Sequence, residues 1–341
     1  MADCDKATSS TLATSGLLKS SSVQLKTSDL LKCAGGGGAA AGYALDDSHH
    51  IATTPFIHWD ASQIMGTTSP TWSSATTYSA GDWVTYLGAE YVALQTTINN
   101  IPSSGAPNWQ AADGNTFSTW TSREGSNYDL VQSVGGEQFT YEAASSNMNS
   151  KPVAISSDGM RYMMTATDFL PAGTVTMPIT VILAYHEATP TKNKTRFGGK
   201  NTAGDNVNHF RDKMRDIFGA IKEHIYMNVG GGTGGYISGP ATQTGAHVIT
   251  WELDNTATPH FYYELARTLC VGTASANDPF NYQFTLGAAN TGGDDSPAGT
   301  EFAEVLIFNE ILSDTEMSGS DVSGGQLYTI ITYLKTKYGI L

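Results

Sequence analysis

The sequence has few cysteines and no long apolar run, and each shortage removes a class of protein. Its three cysteines, Cys4, Cys33 and Cys270, have no Cys-x-x-Cys spacing, which argues against a disulfide framework and a zinc site. No apolar run approaches the roughly eighteen residues of a membrane-spanning helix. We therefore expect no disulfide framework, no zinc site and no membrane span.

Positive charge is also scarce. Lys and Arg total 18 against 32 Asp and Glu, and the formal net charge is −14. An acidic surface repels phosphate groups. Nucleic acid and membrane surfaces are therefore not expected partners.

Residues 1–50 differ in composition from the rest of the chain. Met1–Asp5 lacks the basic start and apolar stretch of a signal peptide, so we expect synthesis in a host cytoplasm. The segment is rich in Ser, Thr, Leu and Lys and ends in a Gly- and Ala-rich run at 35–42. Composition is typical of a disordered tail, but a partner surface could order such a segment. We favour an attachment arm.

From Ile51 onward, short runs of β-branched and aromatic residues alternate with turn residues. The chain is 40% hydrophobic and contains 36 Gly, enough for a core that many turns interrupt. The clearest runs are Ile179–Tyr185, His247–Leu253, His260–Leu265, Tyr282–Leu286 and Phe302–Phe308. Their close spacing without intervening helices predicts an all-β fold, either a sandwich or a jelly roll.

Two segments carry helical signals. Phe210–Ile221 has apolar residues at helical spacing, yet its surroundings favour strands, and we predict strands over 210–229. Ser313 and Glu316 form a capping box that predicts a short helix. A second helix is predicted around the apolar stripe from Leu327 to Tyr338, with Gly339 as its stop.

Three C-terminal stretches resemble the end of laminin-G-like, concanavalin A-like domains: Glu304–Asn309, Leu312–Glu316 and Tyr333–Gly339. His58–Ser62 and Asp113–Thr116 are similar to the opening of such domains. The resemblance implies a jelly roll formed by residues 51–66 and 113–341.

The segment 67–112 has a second resemblance. Its spaced aromatic, Gly and Asp positions resemble the type-3 chitin-binding module, a small three-stranded fold. They are Trp72, Tyr78, Gly81, Asp82, Val84, Tyr86, Gly88, Tyr91, Ala93, Pro102 and Trp109. The segment contains a Tyr-x-Ala-Leu-Gln run at Tyr91–Gln95. In this respect it is similar to the versions of the module found in bacteriophage virion proteins.

The resemblance implies a carbohydrate-binding site formed by Trp83, Tyr86, Tyr91 and Trp109. The tandem tryptophans of sugar-binding members, which form a stacking platform after Ala93, are replaced here by Leu94–Thr97. Weak binding is therefore expected. For Trp83, sugar stacking and packing against the host domain remain equal alternatives.

Enzymatic and metal sites have weaker support. Glu252 with Asp254, and Glu301 with Glu304, are the nearest candidates for a glucanase carboxylate pair, but both lack the third acid. The histidines have no metal-ligand spacing, so no metal site is predicted. The possible calcium ligands are loop acids such as Asp205, Asp278, Asp294 and Asp295. No EF-hand or repeat spacing supports a calcium site at these residues. We expect no catalysis and no cofactor.

The combined expectation is a non-enzymatic, phage-type virion surface protein, either a capsid decoration protein or a short tail adhesin. Residues 1–50 would attach it to capsid or tail proteins, and the insert would contact host or environmental glycans. A homo-oligomer is also expected. The alternative is a free soluble or secreted carbohydrate-binding protein.

Overall fold

We describe the protein from a computed structural model. It describes residues 43–46, 49–64, 70–79, 82–87, 89–103, 107–112, 114–124, 126–157, 161–166, 178–191, 193–200, 210–217, 220–227, 235–253, 260–269, 271–272, 283–288, 296–312, 314–317 and 321–341. By its internal contacts the chain divides into two units, Met1–Thr53 and Thr54–Leu341.

The first unit is described only at its end. Strands β1 (Tyr43–Ala44) and β2 (His50–Ile51) pair antiparallel there. Residues 1–42, which form most of the predicted arm, lie outside the described residues. So do the three cysteines and the four loop acids considered for calcium.

In the described part of the second unit, strands are the main secondary structure. Their bounds in chain order are β3 (Ile57–Asp60), β4 (Thr77–Tyr78), β5 (Trp83–Tyr86), β6 (Ala89–Ala93), β7 (Thr97–Ile98), β8 (Trp109–Ala111), β9 (Thr119–Trp120), β10 (Leu130–Val131), β11 (Thr140–Ser145), β12 (Lys151–Ser156), β13 (Met163–Thr165), β14 (Ile179–Glu187), β15 (Thr195–Lys200), β16 (Phe210–Ile217), β17 (Ala220–Met227), β18 (Gly235–Ala241), β19 (Gly245–Leu253), β20 (His260–Tyr263), β21 (Ala266–Leu269), β22 (Val271–Gly272), β23 (Gln283–Leu286), β24 (Thr300–Phe308), β25 (Asp314–Met317) and β26 (Asp321–Gly324).

Two large antiparallel sheets form a sandwich. The first sheet has the order β11-β12-β24-β14-β19-β20-β21-β26-β25, and β3 also pairs with β24. The second has the order β22-β18-β17-β16-β15-β23-β13-β10-β9. One buried core joins them: Trp59 of the first sheet stacks on Phe284 of the second with 5.1 Å between ring centroids. The predicted all-β sandwich is confirmed.

The central strands of the first sheet are buried on both faces. All nine residues of β24 are buried, and so are all residues of β14 except His186. A strand covered on both faces reads as a continuous apolar run rather than an alternating one. The second sheet covers the inner face of these strands, and a C-terminal helix contacts the neighbouring strand β19 and donates from its Tyr338 hydroxyl to Glu304 on β24.

That helix, α1 (Gly325–Tyr338), is the second of the two predicted helices. Leu327, Ile330, Ile331 and Leu334 are buried along it. Gly339 ends it with a φ of 66°, and its N–H donates to the carbonyl of Lys335. Within the described residues, no helix is long and apolar enough to span a membrane.

The first predicted helix is wrong. Asp314–Met317 forms β25 instead and pairs with β26. A capping box satisfies only the first N–H groups of a helix, and no continuous apolar helical stripe follows this one before the Gly-rich break.

Of the strands predicted over 210–229, those at 210–217 and 220–227 are confirmed, since β16 and β17 pair without a register shift from Phe210–Met227 to Ile217–Ala220. Residues 218–219 and 228–229 lie outside the described residues. β15 and β18 flank this hairpin on its two sides. Pairing on both edges satisfies the backbone groups that an isolated helix would satisfy internally. Tertiary context therefore overrides the helical spacing.

The segment between β3 and β9 forms a small sheet of its own. Its strand order is β5-β6-β8, and β4 pairs with β7 beside it. Tyr78, Val84, Ala93 and Trp109 form a buried core that is separate from the core of the sandwich. The three-stranded architecture implied by the second resemblance is present, and the domain boundaries stay a prediction.

Candidate functional site

The small sheet has two faces that cross-strand register distinguishes. Val84 lies opposite Tyr91, and Ala93 lies opposite Trp109, on the face that covers the module's core. Trp83 lies opposite Val92, which in turn lies opposite Gln110. Because successive side chains of a strand point to opposite faces, Trp83 points away from the core.

Trp109 is a core residue of the module. It is 2% exposed and its ring meets Tyr78 edge-on at 5.3 Å. Its indole N–H donates to the carbonyl of Asn100 at 2.8 Å. With its ring enclosed and its polar atom satisfied, Trp109 offers no stacking face to a sugar.

Tyr91 and Tyr86 also belong to the core-facing side. Tyr91 packs, partly buried, against the core of the module. Tyr86 meets Trp72 edge-on at 5.3 Å, and Trp72 packs on the same core. The structure therefore does not bring the four predicted residues to one surface.

Trp83 alone lies on the opposite face. It is partly exposed, as is Val92, and Gln110 is exposed. The Gln110 amide donates to Asn115 Oδ1 at 2.5 Å, where the chain leaves the insert. An aromatic ring, an aliphatic side chain and an amide thus form one row across three strands, which we call the Trp83 row.

The position of the missing tryptophan platform holds an aliphatic side chain and an amide. Leu94 is 50% exposed. The amide of Gln95 donates to Asn108 Oδ1. Neither group provides an aromatic face.

The described members of the glucanase pairs are buried acceptors. Glu252 is 2% exposed and accepts the Tyr262 hydroxyl at 3.1 Å. Glu301 is 6% exposed and accepts from Ser145 Oγ and from Asn147 Nδ2. Burial raises the pKa of Glu301, but hydrogen bonds from His186, Ser145 and Asn147 lower it below its usual range. Asp254 lies outside the described residues.

Glu304 belongs to a buried charged cluster beneath the end of α1. It accepts from His58 Nε2 at 2.7 Å, from Lys337 Nζ at 2.6 Å and from the Tyr338 hydroxyl at 2.8 Å. Burial opposes ionisation, yet the charge of Lys337 and the His58 hydrogen bond lower the pKa of Glu304 to about 2. Asp60 completes the cluster by accepting from Lys337 Nζ at 2.7 Å.

A second buried cluster joins the two sheets around Arg196. Arg196 on β15 contacts Glu187 on β14, Asp212 on β16 and Glu223 on β17, at 3.1, 2.7 and 2.7 Å. Its guanidinium lies over the Tyr185 ring, 4.4 Å from the centroid. One cation is thus shared by three carboxylates with almost no solvent contact.

An open groove lies on the outer side of the second sheet, at the end formed by β9, β10 and β13. Its volume is about 290 Å³. Thr119, Val131 and Met164 lie in cross-strand register along it. Its lining also includes Ser118, Gln132 and Ser133.

Sequence reasoning missed both charged clusters. His58 and Asp60 are two positions apart on a strand, and that spacing places them on one face. Their partners Glu304 and Lys337 are about 250 to 280 positions away, and only pairing of β3 with β24 brings them together. The Lys-Tyr-Gly ending, which is part of the laminin-G-like resemblance, supplies Lys337 and Tyr338 to this cluster.

No protein-family profile matches the chain, and no curated protein matches it. Solved structures do. Domain 4 of AbnA, an extracellular arabinanase from Geobacillus stearothermophilus, is 14% identical over 59% of this chain and 83% of its own, with a TM-score of 0.39. The CBM40 of a Ruminococcus gnavus IT-sialidase, bound to sialyllactose, is 15% identical over 41% and 80%, with a TM-score of 0.33.

A structure of NanB sialidase from Streptococcus pneumoniae is 22% identical over 46% of this chain, with a TM-score of 0.34. The match spans a quarter of that chain's length. Similarities at this level assign no ligand and no activity to this chain. The class defined by its own fold is an all-β sandwich protein with an inserted three-stranded sheet.

Proposed function

We propose that this chain is a non-enzymatic surface protein of a phage-type particle that contacts glycans weakly through the Trp83 row of its insert. The observation that carries the glycan part is the position of Trp83 on the face opposite the module's core. Tyr86, Tyr91 and Trp109 support the insert from within.

The chemistry of the Trp83 row suits a neutral sugar. Sugar rings present apolar C–H faces that stack on aromatic rings, and their hydroxyls pair with amides such as that of Gln110. One aromatic contact contributes on the order of 1 kcal/mol beyond its burial. A single copy should therefore bind with roughly millimolar affinity.

Display in many copies would compensate for weak single contacts, because linked sites bind with high effective concentration. This favours a particle component over a free protein. The acidic charge, the unusual composition of residues 1–50 and the likeness of the insert to modules of phage virion proteins support the same proposal. Immunogold labelling of particles with an antibody to this chain tests it, and label confined to soluble protein would contradict it.

The glycan site is tested by titrating chitin oligomers into the isolated monomer and following amide shifts by NMR. We expect very weak binding in the wild type and none in Trp83→Ala. Leu87→Ala is the matched control, because Leu87 lies in the same module on the β5–β6 turn and is 89% exposed. Its binding should equal that of the wild type.

Micromolar binding that survives Trp83→Ala would contradict the assignment of the site. The groove beside Val131 and Met164 would then be the next position to test, and the insert would be a packing element.

A further inference from the structure

The cluster beneath the end of α1 contains three residues whose side chains could together hold a metal ion. His58 and Asp60 lie on one face of β3. Glu304, on the neighbouring strand β24, lies opposite Asp60. One ligand atom from each of these three residues lies within 4.8 Å of the other two. All three residues are buried.

Imidazole with two carboxylates is a ligand set that zinc uses. Three protein ligands with a water in the fourth position is a common zinc arrangement, with each donor about 2 Å from the metal. The three donor atoms lie within 4.8 Å of one another, so their side chains would have to move closer together to reach that distance from one ion. The donor chemistry therefore suits a divalent cation of the Zn²⁺ class.

A cation of the protein itself holds this position. Lys337 Nζ lies 2.7 Å from Asp60 Oδ2 and 2.6 Å from Glu304 Oε2. Lys337 extends from the last turn of α1 and neutralises one of the two negative charges. An ammonium is a compact point charge on a flexible stem, so it can stand where a metal would stand.

We infer that His58, Asp60 and Glu304 form a divalent-cation site in which the Lys337 ammonium takes the place of the metal. The site fastens the first strand of the sandwich to its last helix. Removing the ammonium takes away the positive charge that Lys337 places between the two carboxylates, and the site then takes Zn²⁺.

The cluster is accessible from one side. The Lys337 side chain is 18% exposed and that of Asp60 is 9% exposed, whereas His58 and Glu304 are fully enclosed. Truncation of Lys337 therefore opens a path to the ligand atoms from the position that the ammonium vacates.

The test compares the full-length wild type with Lys337→Ala by thermal unfolding, with Zn²⁺ and with EDTA. We expect Lys337→Ala to have a lower Tm in EDTA and to regain much of it in Zn²⁺, with one Zn²⁺ per chain by calorimetric titration. The wild-type Tm should not respond to Zn²⁺. Lys335→Ala, which changes a lysine of the same helical turn outside the cluster, should behave as the wild type does.

The double variant Lys337→Ala with His58→Gln separates this site from adventitious binding, and it should lose the response to Zn²⁺. If Lys337→Ala folds only in Zn²⁺, that recovery also supports the inference. Lys337→Ser provides a second small substitution. Failure of both variants to fold or to bind Zn²⁺ would overturn the inference, as would a response that persists in the double variant.

Discussion

Asp212→Asn should remove a pH dependence that the Arg196 cluster gives to the stability of the fold. Asp212 is 1% exposed and accepts from Arg196 at 2.7 Å and from the Trp251 indole at 3.3 Å. Burial raises the pKa of the Asp212 carboxyl, the charge of Arg196 lowers it, and the charge of Glu223 raises it. The resulting pKa is about 7. The ordinary value is 3.8.

The free energy of unfolding should fall as pH rises, because the folded state binds a proton at Asp212 more tightly than the unfolded state does. Below the ordinary pKa of Asp the stabilisation by the bound proton is fully present, and it is lost as pH rises through about 7. A displacement from 3.8 to about 7 corresponds to at most about 4 kcal/mol in the free energy of unfolding. Asn cannot ionise, so the variant should lack this loss.

Urea unfolding of the wild type and Asp212→Asn, in steps from about pH 4 to pH 8.5, measures the effect. The stability of Asp212→Asn relative to the wild type should rise with pH by about 1 to 4 kcal/mol. Burial also raises the pKa of Glu187, but that dependence is common to both proteins. Glu310→Gln, at an exposed position, is the control. A constant difference between wild type and Asp212→Asn across this range would refute the reasoning.

Three further predictions concern the architecture. Joining Gly66 to Asp113 should leave a soluble, β-rich sandwich by circular dichroism, because the insert has its own core; an unfolded product would contradict the predicted boundaries. Removing residues 1–42 should give a folded protein that no longer joins its particle; normal occupancy would refute the attachment role. Gly339→Ala should lower the free energy of unfolding by about 1 kcal/mol or more, because φ is +66° and the added Cβ would meet Asn149 Cβ at 3.1 Å; unchanged urea unfolding would contradict this.

The elements that could be predicted are those with a local signal. Ile179–Tyr185 is rich in β-branched and aromatic residues and lies within β14. The apolar stripe of α1 and the Gly339 stop are likewise local. The helical spacing of Phe210–Ile221 was a misleading local signal, which pairing with both neighbouring strands overrode.

Features that depend on register or on distant partners could not be predicted. Trp83 and Trp109 belong to one motif, yet alternation along the strands places them on opposite faces of the small sheet. Arg196 appears in the sequence as an ordinary strand residue. Only the packing of two sheets reveals that it is buried among three carboxylates.

The glycan-contact account is tested most directly by multivalent display. Beads coated densely with the wild-type chain or with Trp83→Ala would be passed over an array of immobilised glycans that includes chitin oligomers. We predict retention of wild-type beads, loss of retention for Trp83→Ala beads, and little retention of soluble monomer. Equal retention of both bead types, or no retention of the wild type on any glycan, would contradict the account.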